Sequence, residues 1–378
     1  MSEALRKLKR LDWTILFILL CFMFVSTAAI YSSTSGTSYF GLHRSNLVMY
    51  LLFIPVMLGI ALFDYRIVIQ QFSPLLYALG VLLLVLVLLI GDTINGSTRW
   101  LDLGFIQFQP SELAKVFVIL FLARLLAERK GEPLRIFDLL ILGAVTFIPF
   151  FLVIKQPDLG TSLVFLCICI GMLWVGHIRL RQFVIGVLGV VILAGNLIFL
   201  YFTNFDLFSK IIKDHQLKRI QTFLDPASSP DGGWHVVNSM TAIGSGQLLG
   251  SGFQNGHYIQ NGFIPYSYSD SIFVVVGEEF GFLGAVILIF LYFLLIYRMI
   301  MISIECTDLR GTYLIIGVIS MLCLQVFENV GMHIGMMPLT GISLPFISYG
   351  GSSLLINMIL MGLILSVRMN ETKFSFID

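Results

Sequence analysis

Long apolar runs, broken by short polar stretches, dominate the chain. A helix needs about 20 predominantly apolar residues to cross a bilayer. Stretches of that kind lie at roughly 13–31, 46–63, 74–91, 110–127, 137–155, 160–176, 183–203, 271–297, 311–335 and 344–367. The pattern predicts about ten transmembrane helices. The run at 160–176 is short, and the eighth and ninth runs are interrupted by polar residues. The longest polar interval is 204–270, which predicts one large loop within a single all-α membrane domain over 1–378. In its first part, Asp206–Phe223, apolar residues recur at helical spacing against Lys210, Lys213, Lys218 and Arg219. That pattern fits an amphipathic helix lying in the interface, either packed on the bundle or meeting an anionic lipid head group.

Composition and charge agree with this class. Hydrophobic residues make up 57% of the 378 residues and charged residues only 12%, with a mean hydropathy of +0.93. A soluble domain carries about a quarter charged residues. The net charge of +1 supplies no basic field for nucleic acid. The five cysteines lie mostly in apolar runs and read as small buried hydrophobes. Arg6, Lys7, Lys9 and Arg10 precede a first run too long for a cleavable signal, so a retained helix is expected. With both ends placed on the cytoplasmic side, Lys and Arg concentrate in the inner loops, as the positive-inside rule requires. There is no P-loop and no GxGxxG opening a βαβ unit, so ATP bound by this chain is not the energy source.

The chemistry-bearing residues gather at the outer ends of the spans. Glu112 and Lys115, in Gln109-Pro110-Ser111-Glu112-Leu113-Ala114-Lys115, share one helix face at i, i+3. Charge at bilayer depth is expensive and faces a bundle interior or a wet cavity. The bland alternative is an ion pair that only orders helix packing. Asp158 follows Pro157 and suits a helix N-cap, as does Asp270 beside Ser269. Glu278 and Glu279 sit two turns beyond Asp270 and are harder to explain as caps. Glycines at 244, 246, 250 and 252 permit close backbone approach to a ligand. Pro338 to Ser353 combines two prolines with glycines and serines. Such non-helical backbone is tolerated at membrane depth only where protein buries it or it lines a wet cavity.

These segments resemble the SEDS family (shape, elongation, division and sporulation). The resemblance rests on Asn95-Gly96-Ser97 with Arg99-Trp100, Phe108 to Lys115, Gln156 to Thr161, Ala242 to Gly246, Asp270 with Ile272-Phe273 and Glu278 to Gly281, and Pro338 to Ser353. It covers nearly the whole chain in order. Leu11-Asp12-Trp13 and the short N-terminal tail resemble its RodA branch more than its FtsW branch. Ser271, Tyr266 and Gly233-Trp234-His235 depart from the family pattern. The resemblance implies a peptidoglycan glycosyltransferase that polymerises lipid II at the outer face of the bacterial plasma membrane, for cell-wall elongation, cell shape or division. It implies a class B penicillin-binding protein as partner. It also implies the essential acid at Asp270 and, with it, the cavity charges Glu112, Lys115 and Asp158; Arg99, Ser245, Ser348 and Gly350, on the same outer segments, are further candidates for substrate contact. Transfer from a lipid diphosphate needs a base for the acceptor hydroxyl and positive charge for the departing diphosphate. No dedicated metal cage is visible; Mg2+ or Mn2+ held by carboxylates and substrate phosphates is the cofactor the chemistry leaves open. A flippase for the lipid-linked precursor and a non-catalytic scaffold are the competing readings.

Overall fold

The computed structural model describes residues 10–94, 97–102, 107–205, 207–208, 214–226 and 230–371. It is a helical bundle. In chain order the helices are α1 (Trp13–Thr34), α2 (Leu42–Leu62), α3 (Tyr65–Ile67), α4 (Ser73–Ile90), α5 (Pro110–Ala127), α6 (Ile136–Lys155), α7 (Leu159–Val175), α8 (Leu180–Thr203), α9 (Asp214–Leu224), α10 (Pro230–Ser245), α11 (His257–Gln260), α12 (Ile272–Glu305), α13 (Leu309–His333) and α14 (Gly351–Asn370). Among the described residues, eight helical stretches are long and apolar enough to cross a membrane. The two further spans expected from sequence are α5 and α7. Helix α5 carries Glu112, Lys115 and Arg124 and is almost wholly buried; α7 has 17 residues. Exposed Trp13, Phe24, Phe151 and Leu180 belong to an apolar outer surface of the kind that meets lipid.

Helices α5, α13 and α14 form the inner layer. Helix α5 packs on α4, α7 and α13, α14 packs on α2, and α12 packs on α1, α10 and α13. Glycine lets two of these contacts close. A Cβ on Gly317 would lie 2.8 Å from Ile119, and one on Gly311 would lie 2.9 Å from Val367. Both glycines therefore serve internal packing and offer no outward face to a partner helix.

Two elements differ from the sequence expectation. A three-stranded antiparallel sheet, β1 (Asp92–Ile94), β2 (Ser97–Asp102) and β3 (Gln107–Phe108), stands between α4 and α5. Asn95-Gly96, a dipeptide favoured in hairpin turns, is its sequence signal. Second, α12 is broken at Gly281, whose φ of +63° and ψ of −160° are non-helical. The freed backbone groups are taken up by the glycine-rich segment. Ser251 N donates to Glu278 O at 3.0 Å, Gly252 N to Glu279 O at 3.0 Å, and Phe282 N to Gln247 O at 2.8 Å. A Cβ on Gly281 would lie 2.4 Å from Gly250 N, and one on Gly246 would lie 2.1 Å from Gly277 O. Gly246, Gly250 and Gly281 thus permit two backbones to touch.

This break also relocates Glu278 and Glu279, which lie ahead of the main apolar stretch of α12. Glu278 accepts from Tyr258 N at 2.7 Å and Ile259 N at 3.1 Å, capping α11. Glu279 accepts from Ser32 Oγ at 2.5 Å. Both acids hold the fold together. The helix expected over Asp206–Phe223 is seen from Asp214 to Leu224; Asp206, Lys210 and Lys213 lie outside the described residues.

Candidate functional site

The site begins with backbone that cannot be helical. Residues 338–350 run into the bundle without regular structure, so their carbonyls need donors from elsewhere. Side chains of four helices supply them. Asn329 Nδ2 of α13 donates to Ile342 O at 2.7 Å. Tyr292 of α12 donates to Pro345 O, Tyr50 of α2 to Phe346 O, and Ser26 of α1 to Ile347 O at 2.7 Å. The anchored segment then holds the turn ahead of α12. Ser348 Oγ donates to Ser269 O at 2.6 Å, and Tyr349 N to Tyr268 O at 3.0 Å. Asn329 Nδ2 also donates to Asp270 O at 2.7 Å, and His333 Nε2 lies 3.0 Å from the same oxygen.

Asp270 is therefore fixed through its main chain. Its side chain is not the cap of α12; Ser271 occupies that position and makes no side-chain cap bond. Oδ1 of Asp270 is buried with no hydrogen-bond partner among the described residues. A Cβ on Gly341 would lie 3.5 Å from Oδ2, so the carboxylate borders that residue. Burial pushes the Asp270 carboxyl up to about 6, against smaller opposing effects of nearby backbone N–H groups and Arg99.

Beside Asp270 is a cavity of about 110 Å³, lined among others by Arg99, Gln109, Glu112, Asp158, Ser269 and Gly341. Strand β2 delivers Arg99, whose Nη2 donates to Pro157 O at 2.8 Å and whose Nη1 is 3.6 Å from Asp158 Oδ2. Asp158 does cap α7, accepting from Thr161 N at 3.1 Å through Oδ1. The other oxygen lies 3.6 Å from Arg99 Nη1, so capping uses only one of the two.

The expected residues fall into four groups. Arg99, Asp158, Glu112 and Gly350 line the cavity, and Asp270 borders its wall. Lys115 lies one layer deeper: it is 1% exposed, and its Nζ donates to Glu112 Oε1 at 2.8 Å. Glu112, and not Lys115, is the member of this pair that lines the cavity. Ser348 braces the Asp270 turn. Ser245 does not line this cavity; it is exposed and its Oγ bonds back to Ala242 O at 2.7 Å.

Other polar residues were not singled out from sequence. Gln325, Glu328, Asn329 and His333 lie on α13 at helical spacing, all buried. That polar face on an apolar helix was the available signal. Both carboxylate oxygens of Glu328 lack a partner, and Asp158 and Lys115 are its charged neighbours. The sequence pattern puts Arg219 of α9 on a basic interfacial face without marking it for this cavity. Arg99 and Asp158 are the charges acting on it, which puts it toward the cavity and not out toward lipid. Burial, reinforced by Arg99, lowers its pKa. His235 of α10 lies 3.1 Å from Ser271 Oγ, and burial lowers its pKa as well.

The described residues form no preformed metal cage, and a divalent ion shared with substrate phosphates is a separate case. Among the described residues, no three His, Cys, Asp or Glu side chains are grouped to hold an ion. Asp158 and Glu112 bond Thr161 N, Arg99 and Lys115, while Asp270 Oδ1 and both Glu328 oxygens make no hydrogen bond among the described residues.

The comparisons with known proteins accord with this architecture. The profile of the FtsW/RodA/SpoVE family, described as cell cycle protein, matches residues 7–373. The chain belongs to the SEDS family. It is 36% identical to peptidoglycan glycosyltransferase MrdB of Escherichia coli (strain K12), over 97% of this chain and 95% of that protein. It is 37% identical to stage V sporulation protein E of Bacillus subtilis (strain 168), over 79% of each. Among solved structures, a chain from a peptidoglycan synthase complex that coordinates polymerization and crosslinking superposes with a TM-score of 0.79. Identity there is 29%, over 95% of this chain and 97% of that one. The rod shape determining protein RodA of Thermus thermophilus superposes with a TM-score of 0.69 at 28% identity, over 95% and 96%.

Asn329 is the joint of this SEDS site, because one amide serves both the loop and the Asp270 turn. Asn329→Leu keeps the volume and leaves Ile342 O without that donor. An unsatisfied buried carbonyl costs about 1–3 kcal/mol. The expected result is a lower melting temperature in detergent together with reduced activity. Unchanged melting would show that the amide does not hold the two segments together.

Proposed function

We propose that this cavity polymerises lipid II into glycan strands. Peptidoglycan glycosyltransferase is the activity named for the relatives that match over most of this chain. The observation that carries the reading is the carboxylate of Asp270, with one buried oxygen free of partners and Arg99 close by.

The sugar acceptor is a 4-hydroxyl, and the donor's anomeric carbon bears a lipid diphosphate. The hydroxyl oxygen bonds to the anomeric carbon, the bond from that carbon to the diphosphate oxygen breaks, and the hydroxyl proton passes to Asp270. A carboxylate with a pKa near 6 is mostly ionised at neutral pH and still basic enough to take the proton. The diphosphate leaves with the bonding electrons and needs positive charge. Arg99 supplies it at the cavity wall, with Arg219 close to the same pair of charges. Lys115 holds Glu112 in place from below. One inverting displacement suffices, with no covalent intermediate.

The site end of the bundle faces outward and both chain termini face the cytoplasm; the Lys and Arg distribution supports that orientation. A class B penicillin-binding protein cross-links the product. Its single span docks on the lipid-facing side of α12, where Phe282, Leu283, Phe290 and Phe293 are exposed and Gly284 and Ala285 are half-buried.

The test is polymer formed from lipid II by the purified protein, scored on a gel. Asp270→Asn keeps the shape and cannot accept the proton, so yield should fall by roughly 10²–10⁴ in a protein that melts normally. A flippase would keep moving lipid in that variant, and a scaffold would be indifferent to it. Near-normal polymer from Asp270→Asn would remove the base. Separately, Ala285→Phe should weaken co-purification with the penicillin-binding protein and spare the fold. Undiminished co-purification would rule out that face as the docking surface.

A further inference from the structure

A second cavity lies at the far end of α5, about 560 Å³ in volume. It is remote from the first, since α5 runs from Pro110 beside the site to Ala127 here, about 27 Å at the rise of an α-helix. Its polar lining is Arg66, Gln70, Arg124, Lys130, Asp308 and Arg310, with Glu128 beside Arg124. These residues come from three separate segments: the α2–α4 connection, the end of α5, and the junction of α12 with α13.

The guanidinium groups are held in place. Arg66 Nε lies 3.1 Å from Asp308 Oδ2, and Arg310 Nη2 lies 2.7 Å from the same oxygen. Arg310 Nη1 donates to Gln70 Oε1 at 2.6 Å. Gln70 reaches the cavity from a π-helical turn, Val68–Phe72, a distortion frequent at functional sites. Arg66 also lies over the Tyr65 ring at 5.5 Å. One carboxylate is thus shared by two guanidiniums, which leaves an excess positive charge. Arg124 is matched by Glu128 at 2.9 Å, while exposed Lys130 has no acidic partner among the described residues. Four cations face two acids.

Paired, pre-oriented guanidiniums suit the planar, multidentate recognition of phosphate. The cavity is far larger than one phosphate and falls in the range of small-molecule sites. Next to Arg66 in the chain, Phe63 is 71% exposed and Ile67 is 47% exposed. A charged cleft beside apolar surface at the end of a membrane bundle matches a ligand with an anionic head and acyl tails. Basic pockets between transmembrane helices bind anionic head groups in this manner.

We propose that this cleft binds the phosphate-bearing head group of an anionic phospholipid from the leaflet that meets this end of the bundle. The general preference for basic residues at one membrane face would attract such lipids without a site. Arg179 and Arg181 make the control, because they lie at the same end, at the start of α8, and do not line the cleft.

Native mass spectrometry of the full chain with phosphatidylglycerol or phosphatidylcholine tests the idea. The wild-type protein should retain phosphatidylglycerol adducts and few phosphatidylcholine adducts. Arg66→Gln with Arg310→Gln should reduce the phosphatidylglycerol adducts about tenfold, and Arg179→Gln with Arg181→Gln should leave them unchanged. Should the first double variant fail to fold, Arg66→Lys with Arg310→Lys keeps the charge, loses the fork, and should still lose most adducts. Equal losses in the cleft and control variants would overturn the site in favour of diffuse attraction. Inorganic phosphate that stabilises the protein as much as the lipid does would assign the cleft to a free anion. Poly-glutamate bound through the same arginines, with no lipid retained, would assign it to an acidic protein segment; either result contradicts the lipid proposal.

Discussion

A backbone carbonyl buried at membrane depth must find a donor inside the protein, and the site depends on how that demand is met along residues 338–350. Ser26, Tyr50, Tyr292 and Asn329 come from four helices and each takes one loop carbonyl. The loop in turn binds the main chain at Tyr268 and Ser269. Asp270 is positioned by these backbone contacts and by Asn329, which leaves its carboxylate free of structural duty. A side chain that makes few bonds of its own, held by a backbone that makes many, is pre-organised for chemistry.

The charges beneath the cavity show the same division of labour. Lys115 and Glu112 form a buried pair with good geometry, and such pairs are costly to break from one side. Lys115 lies too deep to line the cavity and fixes Glu112, which does. Arg99 and Asp158 line the same cavity as Glu112, with Arg99 also tied to Pro157 O. The deeper pair resembles the bland packing role that its spacing permits, while its outer member still presents an acid to the cavity.

Much of this was legible from sequence, because length and apolar character decide a span. The i, i+3 spacing placed Glu112 and Lys115 on one face, and Pro157 marked Asp158 as a cap. What escaped depended on partners distant in the chain. Glu278 and Glu279 looked like reactive acids within a span, yet they satisfy Tyr258 N, Ile259 N and Ser32 Oγ. The glycines at 246 and 250 looked like a ligand cradle and instead admit the Gly281 break in α12. Hydrophobic periodicity sets Arg219 on the polar face of a helix and cannot say that this face turns toward Arg99 and Asp158. Asn329 and His333 were visible as a polar stripe on α13, but their target, one carbonyl at Asp270, exists only in the fold.

The central claim is that Asp270 works as a base whose pKa burial has raised to about 6. The base form is the ionised one, so activity should be full above that pH and lost as pH falls through it. The most direct measurement is the rate of lipid II polymerisation by the purified protein between pH 5 and 8, with folding checked at each pH. The account predicts a rise with an apparent pKa near 6. A flat profile across that range, or an inflection near the ordinary carboxylate value of about 4, would contradict it.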